Sequence, residues 1–160
     1  KICLQTAALN DVTLIEDLAN RFGSQSVVVS IDVKRNWLGK LQLYRSVDGK
    51  KSNHPWLDVL KKCVDAGAGE VLLNAVHKDG TLSGPDLTMI KEASSELSVP
   101  LIGLGGVSSM SDIKAAVENG ASAVAAGAFF VFHGPHRAVL ITYPKYKELE
   151  VLFGLTLHPK

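Results

Sequence analysis

Two carboxylates stand where acid–base chemistry could use them. Asp32 lies near the end of SVVVSIDVKR, residues 26–35. An acid at the end of an otherwise buried strand is costly unless something pairs with it or uses it. Strand alternation puts Val28, Ser30 and Asp32 on one face and Val27, Val29 and Ile31 on the other. Asp32 then reads as a general acid or base, as the ion-pair partner of Lys34 or Arg35, or as the cap of a loop. Asp79 lies in HKDGTLSGPD, residues 77–86. Asp79-Gly80 is a turn signal, so Asp79 is either a second acid or base on a loop or part of a purely structural turn. Backbone N–H groups near Gly80 and Thr81 could hold an anion.

A third stretch, LIGLGGVSS at 101–109, ends a strand in Gly105-Gly106 and opens a helix. Glycines let a ligand approach the backbone, and a helix N-terminus favours an anion. As a dinucleotide fingerprint the stretch fails. Ser108 stands where Gly or Ala belongs, and no suitable acid follows about 20 residues on. A phosphate cradle and tight packing both account for the glycines. A similar turn, AAGAFF at 125–130, contains Ala126 and Gly127.

The elements that must position these residues alternate in type. Strands are predicted at 1–7, 26–35, 70–76, 99–106 and 122–132. Helices are predicted at 11–23, 54–67, 85–97 and 109–120. Asn10 or Asp11 caps the first helix and Gly23 stops it, while Pro55 suits the first turn of the second. Residues 36–53 read as a hairpin excursion with Asp48-Gly49 as its turn. HRAVLITYP is ambiguous, and PKYKELEVLF reads as a helix docked on the core. Apolar strands separated by helices indicate an α/β fold with a parallel sheet and covering helices. DAGAGEVLL at 65–73 is echoed by ENGASAVAA at 118–126. That spacing suits two units of a (β/α)8 TIM barrel, typically ~250 residues in eight units. The chain is too short for a whole barrel, and an open doubly wound sheet is the alternative. In a barrel Asp32 would point inward near the C-terminal rim, where such folds place their sites.

Bulk properties narrow the function. The chain has 160 residues, 17 Lys and Arg against 16 Asp and Glu, and a net charge of +1. That balance suits one domain and argues against a broad nucleic-acid surface. Cys3 and Cys63 show neither metal-like nor CxxC spacing and read as buried free thiols in a reducing, cytoplasmic setting. No apolar run approaches the ~20 residues of a membrane span. No signal peptide is read, and a start at Lys1 rather than Met suggests that the given start is not the natural one. His133 and His136 sit in a Gly-Pro loop rather than on a helix, so no metal site is expected. Trp37 and Trp56 are expected to cover the rim of the core.

Several segments together resemble the HisF family, the cyclase subunits of imidazole glycerol phosphate synthase of histidine biosynthesis and their relatives. These are KICLQTAAL, SVVVSIDVKR, GAGEVLLNAVHKDGTLSGPDLTMIK and VPLIGLGGVSSMSDIKAAVENGASAVAAGAFFVF. FHGPHRAVLITYP is similar to a subset from surface-polysaccharide clusters, the WbuZ type, implicated in sugar amidation. The resemblance implies a half barrel, corresponding to strands four to eight of the family's complete barrel. Residues 1–160 would form one domain, with the strand-four unit at 1–25, strands five to eight at 26–132 and a C-terminal helix and tail at 133–160.

The resemblance also implies roles. Asp32 stands at the catalytic carboxylate of strand five, and Asp79 at the acidic position of the DGT loop that Gly80 and Thr81 continue. Gly105 and Gly106 match the phosphate-binding turn after strand seven, and Ala126 and Gly127 the turn after strand eight. Lys50 and Lys51 fall in the flexible GKK segment. Thr6 is kept on strand four. Four rim positions depart from the family: Gln5 replaces Asn, Asn74 replaces Thr, and Leu104 and Gly127 replace small hydroxyl residues.

The implied activity is an ammonia-dependent cyclase or sugar amidation reaction on a phosphorylated small molecule, without metal or organic cofactor. A glutaminase would be the family's partner. A half barrel lacks the strand-one carboxylate, so the expectation is a homodimer that completes a barrel and brings two copies of Asp32 together. The alternatives are a non-catalytic phosphate-binding remnant or truncated fragment, and assembly with a separate N-terminal half chain.

Overall fold

A computed structural model describes residues 1–47, 49–51 and 54–154, with only the backbone of Lys50 and Lys51. Its strands are β1 (Ile2–Leu4), β2 (Val27–Arg35), β3 (Leu41–Arg45), β4 (Lys50–Lys51), β5 (Glu70–Ala75), β6 (Leu101–Leu104), β7 (Ala123–Ala125), β8 (Phe132–His133) and β9 (Ala138–Val139). Its helices are α1 (Thr6–Asn10), α2 (Thr13–Phe22), α3 (Trp56–Asp65), α4 (Leu87–Glu96), α5 (Met110–Glu118), α6 (Ala128–Val131) and α7 (Tyr146–Phe153).

Strands β1, β2, β5, β6 and β7 run parallel in that order. β2 is long enough to serve two partners on one edge. Its first residues pair with β1, and Val33–Arg35 pair antiparallel with β3. The hairpin excursion is therefore real, and β4 extends it. Asp48 of its expected turn lies outside the described residues.

Period-2 alternation divides the sheet into two unlike faces. Val27, Val29, Ile31 and Val33 are fully buried, as are Val71, Leu73 and Ala75. They share one core with Ile15 of α2, Leu60 and Cys63 of α3, Met89 and Ile90 of α4, and Ala116 of α5. All four covering helices thus pack on a single face, whereas a doubly wound sheet would have helices on both. The opposite face is buried along β2, at Val28, Ser30 and Asp32, and exposed at the sheet edges, at Cys3 and Ala123. The sheet does not close on itself among the described residues.

Local signals behaved as their chemistry dictates in several places. The Asp11 carboxylate accepts from the Thr13 N–H at 3.0 Å at the start of α2. Gly23 ends α2 at φ +82°. Asp86 and Ser109 cap α4 and α5 through their side chains.

Other expectations need correction. Residues 1–7 are a strand only over Ile2–Leu4, because the chain turns at Gln5 into α1. Residues 122–132 are not one strand: Ala123–Ala125 form β7, Ala128–Val131 form α6 and Phe132 begins β8. The β-prone FFVF run is drawn into other structure by tertiary packing. The Phe130 and Val131 N–H groups bond back to the Gly127 carbonyl, and the Phe130 ring packs on Tyr143 at 4.9 Å between centroids. The ambiguous segment after it supplies β9, which pairs with β8 of the preceding run. Trp56 is buried, but Trp37 is 89% exposed at the tip of the β2–β3 loop. Cys63 is buried, and burial pushes its thiol up to about 11, whereas Cys3 is exposed on an edge strand.

Candidate functional site

In-register pairing sets one residue from each of four strands in a row at their C-terminal ends. Asp32 of β2 stands beside Asn74 of β5, Asn74 beside Leu104 of β6, and Leu104 beside Ala125 of β7. Asp32 is the only ionisable side chain in that row.

Among the described residues, three donors hold the Asp32 carboxylate. Oδ2 accepts from Gln5 Nε2 at 2.6 Å and from the Ser46 hydroxyl, and Oδ1 accepts from Asn74 Nδ2 at 3.0 Å. Neither expected ion pair forms. Lys34 lies over the Tyr44 ring at 5.2 Å, and Arg35 turns to a different acid. Gln5 and Asn74, two of the rim departures, thus become direct neighbours of Asp32. Ser46 carried no signal, because its contact depends on how the hairpin folds back over β2. The Asn74 Oδ1 is buried without a hydrogen-bond partner among the described residues. Thr6 opens α1 and makes no side-chain hydrogen bond among the described residues.

A second feature gathers most of the remaining predicted positions. Asp79, Gly80, Gly105, Gly106, Ala126 and Gly127 line one small cavity, together with Leu82, Val107 and Ala128. The loops after β5, β6 and β7 each contribute. The cavity holds about 10 Å³, roughly room for one water. Its lining contains one carboxylate and no Lys or Arg, so any anion there would be held by backbone N–H groups. Among the described residues, the N–H groups of Gly106 and Val107 donate to no protein acceptor.

The glycines around the cavity have different reasons. Gly105 and Gly106 adopt φ +104° and +90°, and a Cβ would meet the Ala75 carbonyl oxygen at 2.8 Å or collide with that of Gly84. Packing alone requires them. Gly127 has φ −101°, and a Cβ there would meet nothing within 4 Å. Nothing among the described residues requires glycine at that position, which also lines the cavity.

Thr81 does not reach the cavity wall. Its hydroxyl donates to the Lys78 carbonyl at 2.6 Å and braces its own loop. The side chains of Lys50 and Lys51 lie outside the described residues.

The third feature was not read as a site. Arg35 Nε and Nη2 donate to Oδ2 and Oδ1 of Asp86, each at 2.7 Å. Its Nη1 donates to the Gly39 carbonyl at 2.7 Å. Asp86 also accepts from the Met89 N–H at 3.1 Å and lies 3.1 Å from His77 Nε2. Burial alone would raise the Asp86 carboxyl, but its bonds to Arg35 and Met89, the Arg35 charge and the His77 bond bring it below its ordinary value. The capping role is legible in PDLTMI, whereas the ion pair joins residues far apart in sequence.

Among the described residues, no group of three His, Cys, Asp or Glu could hold a metal. No helix among them is long and apolar enough to cross a membrane.

Comparison with known proteins adds to this geometry. The profile of the family described as Histidine biosynthesis protein matches residues 1–136. A Pseudomonas aeruginosa protein, provisionally named imidazole glycerol phosphate synthase subunit hisF2, is 42% identical over 94% of this chain and 61% of its own length. A Leptospira interrogans protein, provisionally named subunit HisF of the same synthase, is 39% identical over 96% of this chain and 61% of its own length. Imidazole glycerol phosphate synthase subunit HisF of Bifidobacterium adolescentis is 40% identical over 81% of this chain and 53% of its own length. The chain thus spans little more than half the length of the curated relatives it matches.

Proposed function

Because this chain belongs to the histidine biosynthesis protein family, we propose that it is the strand-four-to-eight half of a HisF-like (β/α)8 barrel and retains part of a phosphosubstrate site. The observation that carries this reading is the cavity in which the loops after three successive strands converge. Uncommitted backbone N–H groups and the open space beside Gly127 suit a phosphate oxygen better than they suit packing. An anion larger than a water would need the cavity to widen.

In this reading Asp32 is the acid or base of an ammonia-dependent cyclase or amidation reaction. Gln5, Ser46 and Asn74 orient its carboxylate. Asp79 is the helper, at the edge of the phosphate cradle. Gly80, Gly105, Gly106, Ala126 and Gly127 form the cradle, Thr81 braces its loop, and Thr6, Lys50 and Lys51 contribute from the rim. Residues 1–160 form one domain, divided at 25 and 132. A second copy of the chain completes the barrel against the open face of the sheet, and the expected partners are a phosphorylated small molecule and a glutaminase.

Sedimentation and turnover test the reading together. A dimer that consumes ammonia with a phosphorylated substrate, and loses that turnover on Asp32→Asn, supports it. A monomer at micromolar concentration removes self-association. Phosphate binding without turnover in either form leaves a non-catalytic remnant.

A further inference from the structure

The Arg35–Asp86–His77 cluster connects the two halves of the candidate site, although it belongs to neither. Arg35 lies three residues beyond Asp32 on the same strand, so its position is tied to the acid's. Asp86 ends the loop that carries Asp79 and Gly80. Arg35 also grips the Gly39 carbonyl and so fixes the β2–β3 loop. At its other side the Asp79 loop is sewn to the glycine turn by one backbone bond, from the Gly84 N–H to the Gly106 carbonyl at 2.8 Å.

Between these anchors the loop is compact but conformationally costly. Gly80, Leu82 and Gly84 all have positive φ, and Leu82 holds φ +54° without being glycine. A non-glycine residue in that region persists only where its surroundings impose it. Leu82 lines the cavity. The anchors are therefore what keep a strained segment against the Gly105–Gly106 turn.

We propose that Asp86 is the positioning residue of the cavity, holding the 77–84 loop against the Gly105–Gly106 turn through its two-pronged bond to Arg35 and its bond to His77. An ionised carboxylate can only accept, so His77 Nε2 donates to it. His77 Nδ1 is buried without a partner among the described residues. Among the described residues, Asp86 is the hydrogen-bond partner that orients the His77 ring. Asp86 acts on the site only through these residues, and its part in ligand binding rests on the cradle reading above.

Amide hydrogen exchange on the full chain, with inorganic phosphate as probe, tests the proposal. Asp86→Ser keeps a helix-capping oxygen but cannot reach Arg35. Arg35→Lys keeps the charge but cannot make the two-pronged bond. In both variants the Gly84 N–H is expected to exchange about tenfold faster, the factor expected when a charge-assisted bond is lost. The Val71 and Leu73 amides in β5 should stay protected, showing an intact core. Where the parent binds phosphate, both variants should bind about tenfold more weakly, and Asp86→Asn, which keeps an oxygen for Arg35, should recover part of the loss.

Unchanged Gly84 exchange in Asp86→Ser and Arg35→Lys overturns the proposal. So does faster exchange combined with undiminished phosphate affinity. If the parent binds no phosphate, the cradle reading fails, and the positioning proposal stands or falls on Gly84 exchange alone. If Asp86→Ser does not fold, Arg35→Lys decides by the same readout.

Discussion

The Asp32 cluster and the glycine cavity occupy the same end of neighbouring parallel strands, yet they are made of opposite materials. Among the described residues the hydrogen bonds to the Asp32 carboxylate come from side chains, with Gln5, Ser46 and Asn74 each donating to it. Around the cavity the wall is mostly backbone, and Asp79 is its only charged side chain. A side-chain cluster can change its chemistry by single substitutions while the backbone stays in place. A backbone cradle keeps its chemistry as long as the chain path is kept.

Substitutions should separate the two regions by size of effect. The largest is expected from Gly106→Ala. Positive φ and the Gly84 carbonyl both oppose a Cβ there, which should cost about 3 kcal/mol by urea unfolding. Asp32→Asn should cost less, about 1–3 kcal/mol, because an amide NH2 would then face donors. If Asp32→Asn instead destabilised more than Gly106→Ala, the cluster rather than the chain path would hold this rim together.

The Asp86 ion pair gives a pH-dependent case. Its folded carboxyl lies below the ordinary range, so its stabilisation is complete above the unfolded value of about 3.9. It is lost as pH falls through the lower folded value. The stability difference between the parent and Asp86→Asn should therefore be greatest near neutral pH and vanish in acid, read from unfolding at a series of pH values. A difference that grows in acid would contradict this.

Smaller effects sharpen the contrast. Ser46→Ala removes one donor from Asp32 at a partly exposed position and should cost no more than about 1 kcal/mol. Gly127→Ala should change stability by less than about 0.5 kcal/mol, because a Cβ there meets nothing. A large loss at Gly127 would show that packing requires glycine there too.

What the sequence could reveal follows the same division. The parallel β-α order, the face of the sheet on which Asp32 lies and the stop of α2 at Gly23 follow from local periodicity and turn chemistry. The glycine turns were legible because backbone geometry restricts residue type. The partners of Asp32 were only half legible. Gln5 and Asn74 stood out as unusual rim residues, but Ser46 comes from a hairpin whose fold-back no local pattern encodes. The Arg35–Asp86 pair was missed because a nearer pairing, Asp32 with Arg35, satisfied the same sequence. The strand expected at 122–132 is interrupted by α6, where Phe130 packs on Tyr143. Trp37 failed because nothing among the described residues covers the tip of its loop.

The most direct test of the backbone cradle is a titration of the full chain with inorganic phosphate, followed by amide nitrogen and proton shifts. The account predicts saturable shifts centred on Gly106, Val107 and Gly127, abolished by enlarging Gly127 to Val while the fold is kept. Shifts confined to exposed lysines, or shifts at the cavity that survive Gly127→Val unchanged, would contradict it.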